Sequence, residues 1–436
     1  MKRAWQRWAL VLALGVAGAA RADYMPGTTN TVYADGTTGA SYLLYLPTSY
    51  DTNQPPPLVL YFDPGANSGY GMSKLQPSCE AAGWVLACAN ELRNEWIPNQ
   101  ELKIREIMDD ARSRIPHDRR RFYAAGLSGG AWRANSLSRE YWNEVAGLLL
   151  FGCWIGDYDD YTVFPDRLAV ARVNGSDDNS AIASEPYDGA YYTQTMVRVH
   201  DVHFAGGHEI GQTNAISEAL AWLDADFAGN GVNYISNDYE TAASALVVSA
   251  QAAWDASQYN QVISNAVAVM YRYPASSRVR EAEQWLFRVM TNGTLRPDVS
   301  YFPDATDAWP ISWMLMQRGL GTDAGFPRHC AQAYFETAIL ACPTNSRALA
   351  ECAHQILNDS ARSRSEWPLA AELAESAHDL RTNHWRASYV KYELAELLGD
   401  VRGALAQLTA AMDRIPDDSE GALWNTHKAC DEKRGR

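Results

Sequence analysis

The sequence predicts a mostly parallel α/β sheet over its first half and an all-α region over its second. Three observations carry this. Strand-like and helix-like runs alternate from residue 23 to about 232. From Asn237 onward the pattern changes to long alanine-rich helical runs without a strand signal. Between them in kind lies Gly126-Leu127-Ser128-Gly129-Gly130, a glycine-flanked serine at the junction of a strand-like and a helix-like run. Strands alternating with helices imply a sheet covered on both faces.

The elements follow in order. Ser41 to Leu46 alternates apolar and polar residues and meets Pro47, as an early strand does. Leu58 to Phe62 is continuously apolar and runs into Asp63-Pro64-Gly65-Ala66, which suits a buried parallel strand entering a loop. Gly83 to Cys88 reads as another strand, and Leu102 to Ile115 has helical spacing. Arg121 to Ala125 is the strand before the glycine-serine turn, and a helix begins at Ala131. Val145 to Phe151, Leu168 to Val173 and Val197 to Phe204 complete the strands, and Ile216 to Phe227 closes the region as an amphipathic helix.

A serine hydroxyl is a poor nucleophile unless it is held clear of the backbone beside a base. A sharp strand-to-helix turn holds it clear, and glycines two residues before and after Ser128 remove the Cβ atoms that would collide there. A base should then follow in the chain, and four histidines precede the helical region: His117, His200, His203 and His208. His117 would lie at the far edge of the sheet, and His200 and His203 fall on opposite faces of one strand. His208 follows that strand in Phe204-Ala205-Gly206-Gly207-His208, where two glycines let the loop turn an imidazole back across the sheet, so it is the candidate base. A zinc reading of His200, His203 and His208 fails on the opposite-face argument. The acid that orients the base should come from Asn174-Gly175-Ser176-Asp177-Asp178-Asn179. Asp178 is favoured, with Asp177 the alternative. An oxyanion hole needs two backbone donors: Gly129 N–H is one, and because Pro64 has no N–H the other is Gly65 or Ala66. Trp154 and Tyr158, with Tyr161, Phe164, Tyr187, Tyr191 and Tyr192, are candidates to line the substrate site, since aromatic faces with polar edges suit a sugar or a phenolic acid.

In the second half, Ala370, Ala374 and Ala377 recur as Ala404, Leu408 and Ala411, an offset of 34 residues. Ala331 and Pro343, Val262 and Pro274, and Ala404 and Pro416 each lie twelve positions apart. This period, with small residues at close contacts, resembles the tetratricopeptide repeat and predicts an irregular solenoid over 237–436; a plain helical bundle is the alternative.

The formal net charge of −15 argues against nucleic acid or an anionic membrane as the main partner. Residues 1–22 read as an export signal: Lys2, Arg3 and Arg7, an uncharged run from Trp8 to Ala20, then Ala20-Arg21-Ala22. The uncharged run is too short to span a bilayer as a helix. A periplasmic or extracellular location is therefore expected. Seven cysteines leave at least one thiol unpaired. Cys79 with Cys88, or two of Cys330, Cys342 and Cys352, could bridge, and none has zinc-ligand spacing. No metal or other cofactor is called for.

Asp118 to Ala131, Gly206-Gly207-His208 and Ala219 to Leu223 together resemble the α/β-hydrolase family, and within it secreted esterases related to feruloyl esterases, acetylxylan esterases and polyhydroxybutyrate depolymerases. The resemblance covers roughly residues 40 to 227, and Asp63-Pro64 replaces the more familiar His-Gly of the family. It implies hydrolysis of a carboxylic ester through an acyl-enzyme on Ser128; the expected substrate is small or polysaccharide-linked, and the helical repeats are expected to dock a protein partner. Two other readings are a serine peptidase of the same fold and a non-catalytic interaction scaffold built on it.

Overall fold

The computed structural model describes residues 24–94, 97–141, 144–153, 168–192, 197–230, 239–291, 305–320, 328–358, 367–380 and 385–399, with residues 403 and 407. The expected export signal and the Ala404 to Pro416 segment fall outside these, apart from residue 407.

Eight strands form one sheet: β1 (Thr29–Tyr33), β2 (Ser41–Tyr45), β3 (Leu58–Phe62), β4 (Val85–Ala89), β5 (Phe122–Leu127), β6 (Gly147–Phe151), β7 (Ala169–Gly175) and β8 (Arg198–Phe204). Their spatial order is β1-β2-β4-β3-β5-β6-β7-β8. β1 and β2 run antiparallel, and every pairing from β4 to β8 is parallel. This is the mostly parallel order expected of the α/β-hydrolase fold. Strands β3 to β7 are buried along their whole length, because helices cover both faces. Alternate residues divide between the two layers. Leu58, Leu60 and Phe62 face one core with Ile107 and Leu137, whereas Val59 and Tyr61 face the other with Leu75 and Leu220. The covering helices are α1 (Ser68–Ala82) and α5 (Thr213–Asn230) on one side, and α2 (Gln100–Arg114) and α3 (Gly129–Glu140) on the other; α4 (Asn179–Tyr192) follows β7.

The second half is helical throughout its described length: α6 (Tyr239–Asp255), α7 (Tyr259–Arg272), α8 (Val279–Thr291), α9 (Ala305–Leu320), α10 (Arg328–Ala341), α11 (Ser346–Asn358), α12 (Trp367–Leu380) and α13 (Trp385–Leu397). Chain neighbours pack together from α6 to α8 and from α9 to α13, and α8 also meets α10 as α11 meets α13. Ala370, Ala374 and Ala377 are fully buried on α12, where small side chains let backbones approach. Neither disulfide bridge considered from sequence is formed among the six described cysteines. Among the described residues no helix is long and apolar enough to cross a membrane.

The two halves meet through buried charge. Glu144, at the foot of β6, receives both guanidinium nitrogens of Arg280 on α8 at 2.8 and 3.0 Å and one of Arg318 on α9 at 2.8 Å, besides Arg112 of α2. Glu283 on α8 takes Arg318 at 3.0 Å, Arg105 of α2 and the Tyr334 hydroxyl of α10. Arg105, Arg280 and Arg318 all lie over the Tyr141 ring. The α9 helix also touches α3 directly. Burial alone would raise the Glu283 carboxyl, but Arg105, Arg280 and Arg318 hold it down at about 2 from its ordinary 4.5. The same balance, with Arg280, Arg112 and Arg318, holds Glu144 well below its ordinary value. Because the folded pKa is depressed, this contribution is complete above the unfolded value and is lost as pH falls towards 2.

Removing one member of such a cluster strands the remaining charges in the interior, at a cost of about 3–5 kcal/mol. Glu283→Ala and Arg318→Ala should each lower stability in urea by that order and destabilise both halves. The wild type should lose stability steadily between about pH 5 and pH 2.

Candidate active site

The parallel strands put the loops after β3, β5, β7 and β8 on the same edge of the sheet, the edge where ligands bind in open α/β sheets. The expected nucleophile, base, acid and backbone donors all sit in those four loops or at the first position of α3.

Ser128 occupies the turn from β5 to α3 with φ 52° and ψ −121°, a conformation that costs a non-glycine residue of order 1–3 kcal/mol. The neighbouring glycines show why the turn must be sharp. A Cβ on Gly130 would come within 2.1 Å of the Phe62 carbonyl oxygen at the end of β3, and one on Gly126 within 2.2 Å of the Gly130 backbone. The helix start is thus driven against two strand ends, and Ser128 takes up the strain. Its N–H donates to Phe151 O at 2.9 Å, its carbonyl accepts from Ala131 and Trp132, and its side chain does not cap the helix. The hydroxyl is left for other work.

Asp178 and His208 meet. His208 Nδ1 donates to Asp178 Oδ2 at 2.6 Å. The second carboxylate oxygen of Asp178 accepts from Ser180 Oγ at 3.0 Å and from Ala181 N–H at 3.3 Å, so the residue also caps α4. Burial would raise this carboxyl, but the His208 hydrogen bond, followed by Ser180 and Ala181, holds it below its ordinary value. The carboxylate therefore stays ionised and fixes the imidazole tautomer, leaving Nε2 as acceptor. Asp177 is exposed and turns away, its N–H on Gly206 O. Of the two aspartates weighed from sequence, Asp178 is the one on the histidine.

The remaining histidines part company with this pair. His200 stacks on Trp222 and faces Glu218 of α5, while His203 pairs with Glu185 of α4, on opposite sides of the sheet. Among the described residues no group of three or more His, Cys, Asp or Glu side chains gathers as a metal-ligand set. His117 is buried at the other end of β5, where desolvation pushes it down to about 3.

Three residues join the site that sequence reasoning passes over. Gly152 follows β6 with φ +54°, and a Cβ there would lie 2.9 Å from His208 Nδ1 and 3.1 Å from Asp178 Oδ2. With Ser128 N–H on Phe151 O, the Phe151-Gly152 turn stands between the serine and the pair. A glycine closing an apolar strand was its only sequence signal. Asp63 is buried and holds the loop after β3: Oδ1 accepts from Gly65 N–H at 2.8 Å and Asn67 N–H at 3.0 Å, and Oδ2 from Tyr61 OH at 3.1 Å. Ala66 N–H donates to Asp63 O at 3.2 Å, with Ala66 itself at φ 59°. The two N–H groups expected as the second oxyanion donor are thus engaged within their own loop. Asn94 is the third, against Gly129. Trp154, Tyr158, Tyr161 and Phe164 lie outside the described residues, and of Tyr187, Tyr191 and Tyr192 only the α4 backbone is described.

No family model and no curated protein sequence matches this chain. Solved structures do. FphF, a fluorophosphonate-binding serine hydrolase of Staphylococcus aureus with substrate bound, is 13% identical, with 45% of this chain and 98% of that one covered, at a TM-score of 0.36. A ferulic acid esterase is 15% identical over 46% of this chain and 97% of that chain, TM-score 0.36. Thermogutta terrifontis esterase 2, phosphorylated by paraoxon, is 14% identical over 48% and 96%, TM-score 0.38. The fold assignment rests on the strand order, and the site on the contacts described above.

Two substitutions probe this geometry. Gly130→Ala should lower stability by about 1–3 kcal/mol in a denaturant titration, since its Cβ has no room against Phe62. Asp178→Asn should keep the fold but lower Ser128-dependent turnover by about 10³–10⁴-fold in kcat, through loss of the imidazole's orientation.

Proposed function

We propose that the protein is an exported serine hydrolase that cleaves carboxylic esters through an acyl-enzyme on Ser128. The observation that carries this is the 2.6 Å Asp178–His208 pair held on the same sheet edge as a serine in a strained strand-to-helix turn.

In this reading Ser128 Oγ attacks the ester carbonyl carbon while His208 Nε2 takes its proton. The carbonyl electron pair moves onto oxygen, where the Gly129 N–H, first in α3 and without an intrahelical partner, meets it. Asp178 stabilises the imidazolium. Collapse of the tetrahedral adduct expels the alkoxide, which leaves as the alcohol with the His208 proton. Water activated by the same imidazole then attacks the acyl-enzyme, releasing the acid and restoring Ser128.

Carbohydrate-linked acyl esters are the proposed substrate class, from the aromatic content of the segment that holds Trp154 and Tyr158. The helical half would act as a tetratricopeptide-like docking domain. Its helices α8, α9 and α10 are committed to the buried charge cluster, which leaves α6, α7 and α11 to α13 to meet a partner.

A fluorophosphonate probe should label the folded wild type and not Ser128→Ala. That variant should lose at least about 10⁴-fold in kcat on p-nitrophenyl acetate. A folded wild type that takes no label contradicts the reading. Comparing acetyl, longer acyl and feruloyl esters against peptide substrates then separates esterase from peptidase and ranks the ester classes.

A further inference from the structure

An oxyanion hole built from one donor is incomplete, and the loop after β3 does not supply the second. Pro64 has no N–H. The N–H groups of Gly65 and Asn67 are on the Asp63 carboxylate, and that of Ala66 is on the Asp63 carbonyl. Asp63 is buried, with its other oxygen on Tyr61, so freeing Gly65 would strand a carboxylate oxygen in the interior.

Asn94, an exposed residue, lies beside Gly129, the residue that carries the first donor. Its N–H donates to Pro64 O at 2.9 Å, and its neighbour Arg93 bridges to Gly65, so its backbone is fixed to this same loop. Its carboxamide lies over the first residue of α3. A Cβ built on Gly129 would stand 1.6 Å from Asn94 Oδ1, 2.5 Å from Cγ and 3.0 Å from Nδ2. Among the described residues the carboxamide makes no hydrogen bond. Gly129 has no positive φ to demand glycine, and glycine weakens a helix start. The side chain lying across it is the reason that position has no Cβ. Half a turn about the last torsion of Asn94 exchanges oxygen for NH2 in the same space.

We propose that Asn94 is a catalytic residue whose side-chain NH2 is the second oxyanion donor, facing the Gly129 N–H. This rests on Ser128 being the nucleophile. A side-chain amide differs from a backbone donor in one respect that matters: it can be removed without disturbing the loop. It also gives the loop's Asp63-Pro64 sequence a role, since Asp63 ties down Gly65 while the Pro64 carbonyl positions Asn94.

The test compares the full-length wild type with Asn94→Ala, Asn94→Asp and Gly129→Ala, on p-nitrophenyl acetate and with a trifluoromethyl ketone that forms a tetrahedral oxyanion on the serine. Both Asn94 variants should lose about 10²–10³-fold in kcat with KM within about twofold. The Kd of the ketone should rise by a matching factor. Gly129→Ala, which pushes the amide aside, should reproduce the loss with unchanged circular dichroism. Turnover within about threefold of wild type in Asn94→Ala, in an enzyme that Ser128→Ala abolishes, overturns the proposal and returns the donor to the loop after β3. A fall in kcat without weaker ketone binding also overturns it, as a structural effect. A wild type without Ser128-dependent turnover removes the nucleophile reading itself.

Discussion

The site depends on how closely the N-terminus of α3 is pressed against the ends of β3 and β5. The Phe62 carbonyl oxygen stands where a Cβ of residue 130 would be, and the Gly130 backbone stands where a Cβ of residue 126 would be. That approach leaves the chain no relaxed path from strand to helix, and Ser128 takes a positive φ as a result. The strain is offset by what the packing delivers. The turn sits at the positive end of the α3 helix dipole, and the Ser128 side chain does not cap the helix.

Around that turn the other loops are tied to one another rather than left to vary. Gly152 makes room for the Asp178–His208 pair, and a Cβ on Gly175 would meet the Gly206 and Gly207 carbonyl oxygens at 2.3 Å, so the loops carrying Asp178 and His208 are packed backbone to backbone. Helix α3, which begins at the serine, is in turn contacted by α9 from the helical half. The buried cluster of Glu144 and Glu283 with Arg105, Arg112, Arg280 and Arg318 ties that half to the sheet. Ion pairs of this kind cost desolvation and give little net stability over an apolar contact. What they specify is geometry: each carboxylate accepts from both halves, so only one arrangement satisfies all of them.

Much of this was legible in sequence where a local signal was strong. Leu58–Phe62 reads as a buried strand to the residue, because a continuous apolar run bounded by proline and aspartate admits little else. The glycines about Ser128, and His208 after two glycines, were readable because backbone crowding selects glycine. Strand β1 escaped because Thr29–Tyr33 is a polar edge strand with little to bury, and α1 because its glycines and Pro77 erase helical periodicity. The choice of Asp178 over Asp177 needed the packing of one loop on another. Asn94 and the charge cluster were invisible for a similar reason. Their meaning lies in contacts between distant segments, such as Arg105 with Glu283, that no spacing encodes.

Hydrolysis by the proposed route passes through an acyl group on Ser128. The most direct measurement is peptide mapping by mass spectrometry after acid quench of the full-length protein with a slowly turned-over aryl ester. A mass increase equal to the acyl group on the peptide containing Ser128, absent in Ser128→Ala, is the predicted result. Turnover with no acyl adduct on that peptide, or with an adduct on another residue, would contradict it.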